Sequence, residues 1–504
     1  MVVNLIYARD LMYGIGKNNR IPWRIKSDMN WFKSFTSNFN IINKNNIVVM
    51  GYNTWKSIPE SFKPLNNRLN IILSKNNQSN LSNYIAEKKY DNVFVTDSID
   101  KVMDIYKKHN ETMWIIGGKQ IYNDFYLNFS DYVFITKIYD NYDCDLILDD
   151  KEALKKYELF FSSPIQRENG TNFQYLIYSN KYSNNSFDKK EYEQKIINFI
   201  DKNINLECKN TLDYNYINLV KEILETQNYR ETRNGETIST FGKHLKINLK
   251  EGFPLLTTKK VFWKGILREL LWFINANTNS NDLVAKGVKI WQGNTTREFL
   301  DNLSLPYQEG IGGPIYGWQW RKFNEKYEWT DENGEKHFTE GNNKGFDQLQ
   351  FIIDEIKKNP HSRRLMMSGW NPCQLNQMCL PPCHMSYQFY VNNGALSCQM
   401  YQRSADVFLG LPFNIASTAL LTHIIANHTG LDVDHINICI GDAHIYSEHL
   451  DAIKTQMSRL DDNYFYLPKL VIKNRYDSIE KYREEDFEVI GYNSHPIISA
   501  KMLA

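Results

Sequence analysis

A chain of 504 residues is longer than one hydrophobic core serves, so about two to four domains are expected. Its 42% hydrophobic and 23% charged residues make a globular rather than disordered composition, and 59 basic against 58 acidic residues leave no global basic field to draw nucleic acid. Seven cysteines, five of them between Cys373 and Cys439, do not frame a disulfide scaffold, and no run reaches the ~18 apolar residues of a membrane span. The opening apolar run meets Arg9 and Asp10 too soon for a signal peptide, so a reduced, cytoplasmic chain is expected.

Short apolar runs dominate the first stretch. Val2 to Ala8 is expected to be a strand, and Asp28 to Phe35 a helix after the Ile21-Pro22-Trp23 turn. Ile47 to Met50, Leu69 to Leu73, Val93 to Val95 and Trp114 to Ile116 follow at helix-length gaps, and Phe173 to Tyr178 closes the set. That alternation predicts an α/β layer fold. Residues 181–212 turn rich in Asn, Lys, Glu and Ser and carry one amphipathic stretch, Lys189 to Asp201. They read as a linker with one helix, or as a peripheral helix of the first domain. A second domain occupies 213–504, with the polar insert Lys322 to Lys344 expected as a surface loop.

The chemistry of the second domain starts at Cys379-Leu-Pro-Pro-Cys383-His384. Two prolines stiffen the approach to Cys383. An arbitrary cysteine is more often a buried structural thiol than a nucleophile. Zinc held by Cys373, Cys379, Cys383 and His384 would need other gaps, so no metal is expected. A nucleophilic thiolate wants nearby cations, and Arg233, Arg363, Arg364 and Arg403 are candidates. With Ser404 the same arginines suit a phosphate dianion.

The runs FPLLTTKKVFWKGILRELLWFI (253–274), KIWQGN (289–294), GPIYGWQW (313–320), RRLMMSGWNP (363–372), LPPCHMSYQFYV (380–391), CQMYQRSADVFLGLPFNIAS (398–417) and GDAHIY (441–446) are similar to thymidylate synthase over nearly all of 213–504. The resemblance implies an α+β domain that converts dUMP and 5,10-methylenetetrahydrofolate to dTMP and dihydrofolate. Cys383 would attack C6 of the uracil, with Glu269, Tyr316 and His384 as further catalytic residues. Arg233, Arg403 and Ser404 would hold the phosphate, and Arg363 and Arg364 the phosphate of the other subunit in an obligate homodimer. Arg403 would also lower the thiol pKa. Asn414 would read the uracil edge, and His444 and Tyr446 the deoxyribose. Asp406 would serve both dUMP and folate, with Trp291 and Asn294 flanking the folate. The Arg233 turn is one residue shorter than usual in such proteins, and Ala405 replaces a more usual Cys or Gly.

In the first domain, Gly117-Gly118 between an apolar run and a helix reads as a tight turn, or as a place for phosphate on backbone amides. Gly14-Ile15-Gly16 is not a full dinucleotide fingerprint. Asp28, among Ile21, Trp23 and Phe32, reads as a helix N-terminal charge or as a lone acid for a cationic heterocycle.

YGIGKNNRIPW (13–23), SDMNWF (27–32), MGYNTWKSIP (50–59), NRLNIILS (67–74), IIGGKQIY (115–122) and VFITKI (133–138) resemble dihydrofolate reductase over about 1–180. The resemblance implies a mixed, mostly parallel sheet with flanking helices, reducing dihydrofolate with NADPH. Asp28 would bind the pterin and favour its protonation. Ala8, Ile21, Trp23, Phe32, Ile58, Leu65, Ile116 and Thr136 would wall the folate, and Arg68 would pair with its glutamate. Ala8, Ile15, Gly16, Gly51, Thr54, Ser74, Lys75, Gly117, Gly118 and Tyr122 would contact NADPH. Two departures stand out: Tyr52 and Asn53 lack the cation usual at the cofactor phosphates, and 142–150 lacks the usual aromatic-proline ending. Together the halves resemble reductase–synthase fusions of the protist type, in which one active site consumes the dihydrofolate that the other makes. Nucleic acid is not expected as a primary partner.

Overall fold

The structure is a computed structural model that describes residues 2–39, 45–109, 112–182, 188–204, 206, 210–331, 333–460 and 465–503. The chain divides into two compact units, Met1–Cys208 and Lys209–Ala504.

The apolar runs of the first unit become one nine-stranded sheet. Its order is Gln166–Glu168, Thr171–Asn180, Tyr132–Ile138, Val3–Arg9, Met113–Gly117, Asn46–Gly51, Arg68–Leu73, Val93–Thr96, with Tyr157–Ser162 also on Thr171–Asn180. From Tyr132–Ile138 to Val93–Thr96 every pair is parallel. Parallel strands need crossovers, supplied here by helices such as Gln78–Lys88, Ile99–His109 and Lys119–Asn128. Helices on the sheet faces explain why Ile47, Val48, Val49 and Met50 are all fully buried. The C-terminal strand ends carry Ala8, Gly51, Ser74, Ile116 and Gly117 to one edge, where open α/β sheets bind ligands. The helix expected over 28–35 runs instead from Lys26 to Lys33 and passes into a π turn, Ser34–Asn38.

Lys189–Asn203 is a helix packed on this first unit. Tyr192 Oη accepts from Asn4 Nδ2 at 3.1 Å, and the Phe199 ring lies 5.0 Å from Phe35 and 5.2 Å from Phe39. Its apolar stripe of Tyr192, Ile196, Ile197 and Ile200 is buried there. Of the two sequence readings, the peripheral helix describes this stretch better than a free linker.

The second unit holds a six-stranded sheet: Tyr229–Thr232, Gly235–Asn248, Asp432–Tyr446, Ala395–Asp406, His384–Asn392, Met366–Ser368. Only Ala395–Asp406 and Asp432–Tyr446 are parallel. They are joined by helix Gly410–Thr429, whose apolar residues run round all its faces and are buried. Helix Trp263–Ile274 packs against it, and helix Thr211–Thr226 packs on strand Gly235–Asn248. The insert expected as a loop contains a hairpin, Glu328–Thr330 with Lys336–Phe338. Trp329 anchors it, its ring 5.2 Å from Tyr307. No helix among the described residues is long and apolar enough to cross a membrane.

Two candidate active sites

Strand register assembles the site of the second unit. Cys383 immediately precedes strand His384–Asn392, and antiparallel pairing sets His384 opposite Gln402. The Arg403 N–H donates to the Cys383 carbonyl at 2.9 Å. Parallel pairing then sets Ser404 beside Asp442 and Asp406 beside His444. Cys383, Arg403, Ser404, Asp406, His444 and Tyr446 therefore meet at one end of the sheet. Asn414 joins from the second turn of the crossover helix, its Oδ1 accepting from Gln402 Nε2 at 2.9 Å. Asp406 Oδ1 accepts from the amides of Phe408 and Leu409, which fixes the turn into that helix.

Arg403 is tethered toward the thiol. Its Nε and Nη2 donate to the carbonyls of Pro382 and Pro381 at 3.0 and 2.9 Å, and Nη2 stands 3.8 Å from Cys383 Sγ. Tyr316 Oη accepts the Cys383 N–H at 2.8 Å. Burial pushes the Cys383 thiol up, and Arg403 and the Tyr316 hydroxyl pull it down by less. Arg403 acts in the expected direction, yet the net shift is upward, because desolvation of a thiolate outweighs one cation 3.8 Å away. Glu269 belongs to the same buried group, since its charge and that of Cys383 both act on the Tyr316 hydroxyl. Enclosure raises its carboxyl to about 7 against the indole N–H of Trp291, which donates at 2.7 Å. Asn294 is buried close to Trp291, in the turn Gly293–Thr295. His384 faces the core. Its Nδ1 lies 2.6 Å from Tyr387 Oη, its ring lies 4.5 Å from that of Tyr316, and burial pushes it down to about 3. It is a neutral brace behind Tyr316.

Arg233, Arg363, Arg364 and Arg403 make no ion pair among the described residues. Arg233 is exposed in the turn between Tyr229–Thr232 and Gly235–Asn248, and its charge reaches Tyr446. Arg363 and Arg364 do not join the Cys383 group. Antiparallel pairing of Met366 with Gln388 puts them at the far end of strand His384–Asn392, roughly 20 Å from Cys383 along the strand. Cys373 is exposed, Cys379 is buried, and the four groups weighed for zinc do not converge.

Tyr316 depends on a glycine. A Cβ on Gly317 would lie 2.2 Å from the Phe273 carbonyl oxygen and 2.6 Å from its Cα, both backbone atoms of helix Trp263–Ile274. Gly317→Ala must push apart the two helices that carry Tyr316 and Glu269. The expected cost is about 1–3 kcal/mol, with activity at Cys383 lost and activity in the first unit kept. Thermal melting and separate assays of the two units check it.

Every residue expected for the first unit's site lines one cleft of about 2600 Å³, from Ala8 and Ile15 to Tyr122 and Thr136. Asp28 is 7% exposed, and burial raises its carboxyl to about 6. Thr136 and Trp23 act against that shift, and the charge of Glu168 adds to it. Arg68 is buried, donates to Thr36 Oγ1 and the Asn66 carbonyl, and makes no ion pair among the described residues. A buried guanidinium without an anion suits a ligand carboxylate.

A cofactor with phosphates fits the glycine side of this cleft. A Cβ on Gly117, at φ +144°, would meet Thr54 Oγ1 at 2.8 Å. Helix Lys119–Asn128 starts at Gly118 with no side-chain cap, so its first amides are open to an anion. Lys56 and Lys119 line the cleft as well. The sequence reading missed both. Lys56 could have been found by helical spacing, since it stands four residues after Tyr52 with its ammonium 5.9 Å from that ring. It restores a cation to the side where Tyr52 and Asn53 supply none.

Each unit is thus an enzyme domain with its own site and its own ionisable centre. Residues 2–180 match the family model of dihydrofolate reductase, and residues 214–504 that of thymidylate synthase. A "Bifunctional dihydrofolate reductase-thymidylate synthase 2" of Arabidopsis thaliana is 39% identical over 99% of this chain and 88% of its own length. The bifunctional enzyme of Paramecium tetraurelia is 39% identical over 99% and 98%, and that of Plasmodium chabaudi 36% over 99% and 95%. The chain belongs to the bifunctional dihydrofolate reductase–thymidylate synthases, and it carries both activities. A plant relative and a ciliate relative are equally similar, so this likeness does not separate a protist from a plant type.

Proposed function

We propose that Cys383 adds to C6 of dUMP, making C5 the carbon nucleophile that takes the one-carbon unit. 5,10-methylenetetrahydrofolate supplies both the methylene and the hydride that complete dTMP. Arg403 and Ser404 receive the phosphate with Arg233, and Asn414 reads the uracil edge, where a mismatched base leaves a buried polar group unpaired. His444 and Tyr446 take the sugar. Glu269, at about 7, moves protons at the pyrimidine, and Tyr316 assists at C5. Asp406, Trp291 and Asn294 border the folate.

The observation that carries this reading is the tethered Arg403, 3.8 Å from the Cys383 sulfur, with no carboxylate to neutralise it. In the reductase, NADPH supplies the hydride when bound. Gly51, Thr54, Ser74, Gly117 and Gly118 hold it, with Lys75 and Lys56 at its phosphates. Asp28, whose carboxyl is raised to about 6 and keeps its proton below that pH, sits in a wall of Ala8, Ile21, Trp23, Phe32, Ile58, Leu65, Ile116 and Thr136, and Arg68 takes the folate carboxylate.

The working form is a cytoplasmic homodimer. The distance of Arg363 and Arg364 from their own Cys383 supports a role at the other subunit's phosphate. They flank an exposed apolar sheet face, where Tyr390 is 61%, Met366 54% and Tyr401 40% exposed.

A coupled assay tests the whole scheme. With NADPH and methylenetetrahydrofolate present, NADPH oxidation should start only on adding dUMP and run one to one with dTMP. Oxidation independent of dUMP contradicts the scheme.

A further inference from the structure

The helix Lys26–Lys33 carries Asp28 in its first turn, yet it begins at Ile25, which has no side chain to cap it. Its leading amides still need acceptors. Glu168 provides them from an edge strand of the sheet, about 140 residues away. Its Oε1 accepts from Lys26 N at 2.7 Å. Its Oε2 accepts from Ser27 N at 3.0 Å and Ser27 Oγ at 2.7 Å. The next residue, Asn169, donates from Nδ2 to the Arg24 carbonyl at 3.1 Å. The turn after Gln166–Glu168 thereby clamps residues 24–27, directly before Asp28.

We propose that Glu168 is a positioning residue of the reductase site: its carboxylate fixes the first turn of the Asp28 helix and sets a second negative charge beside the catalytic acid. The proposal rests on the reading of Asp28 as the proton-holding group. A carboxylate at a helix N-terminus stabilises the helix and offsets its positive end. That positive end would otherwise favour ionised Asp28.

The groups facing Asp28 are Trp23 from the preceding loop, Tyr122 from helix Lys119–Asn128, Thr136 from Tyr132–Ile138, Tyr175 from Thr171–Asn180, and Glu168. Of these, Glu168 alone is charged near neutral pH. Burial works against its ionisation, but the Ser27 hydroxyl, the amides of Lys26 and Ser27 and the Lys26 charge together outweigh that and hold its pKa below the ordinary value.

The test uses the full-length enzyme and kcat/KM for dihydrofolate at saturating NADPH, from about pH 5 to 9. Protonated Asp28 sets the descending limb of that profile. Glu168→Gln keeps the shape and removes the charge. It should move the limb down by roughly half to one pH unit and raise KM for dihydrofolate several-fold. Glu168→Asp should leave the limb in place. Ser27→Ala, which removes one bond and no charge, is the milder variant and should raise KM alone. Synthase activity reports folding and should not change.

A Glu168→Gln limb that superimposes on wild type overturns the proposal, whatever happens to KM, since Glu168 would then serve only the fold. Full rate in Asp28→Asn would instead overturn the reading of Asp28 itself.

Discussion

Cys383→Ala abolishes dTMP formation, by about 10⁴-fold or more, and leaves dihydrofolate reduction within error of wild type. The loss is that large because no other group can form the bond to C6. Cys379 is buried with its thiol pushed up to about 12, Cys398 likewise, and Cys373 lies exposed outside the sheet-end group. The side chain is half-buried and bonded through its backbone, so truncation should leave the fold intact. Parallel assays of both activities on one preparation check this. Joint loss of both in a folded protein would contradict two separate sites.

Asp28→Asn gives the converse pattern: reduction at neutral pH falls by about 10²–10⁴-fold while dTMP formation continues. A carboxyl at about 6 is protonated below that pH and ionised above it, so wild-type kcat/KM should fall as pH rises through that region. The amide neither gains nor loses a proton there. Its residual rate should depend on solvent acid and climb as pH is lowered. Stopped-flow NADPH oxidation across pH separates the two profiles.

Much of the group gathered around Cys383 was legible because its residues lie in long contiguous motifs on neighbouring strands. Cys383, Arg403 and Ser404 meet through simple register, and so do Asp406 and His444. The electrostatic balance at the thiol was not legible. It depends on burial beside Tyr316, which is itself packed against Phe273 and Trp291 from separate elements. His384 shows the same limit. Adjacency to Cys383 suggested chemistry, but strand alternation turns its ring into the core.

In the reductase, the cleft walls were legible from short motifs at strand ends. Lys56 was not legible at the two positions after Gly51, because it stands one helical turn further on, over the Tyr52 ring. Glu168 could not be read from sequence at all, since its partners lie about 140 residues away across the sheet. The helix Lys189–Asn203 showed its apolar face plainly, but only the structure supplies the Phe35 and Phe39 surface that covers it.

If Cys383 is the nucleophile toward the pyrimidine, its adduct can be trapped. Incubation with 5-fluoro-dUMP and methylenetetrahydrofolate should stall the reaction, because fluorine at C5 cannot leave as a proton does. Mass spectrometry of the digested protein should then find nucleotide and folate joined to the peptide containing Cys383, and no such adduct in Cys383→Ala. An unmodified Cys383 peptide, or an adduct on another residue, would contradict the account.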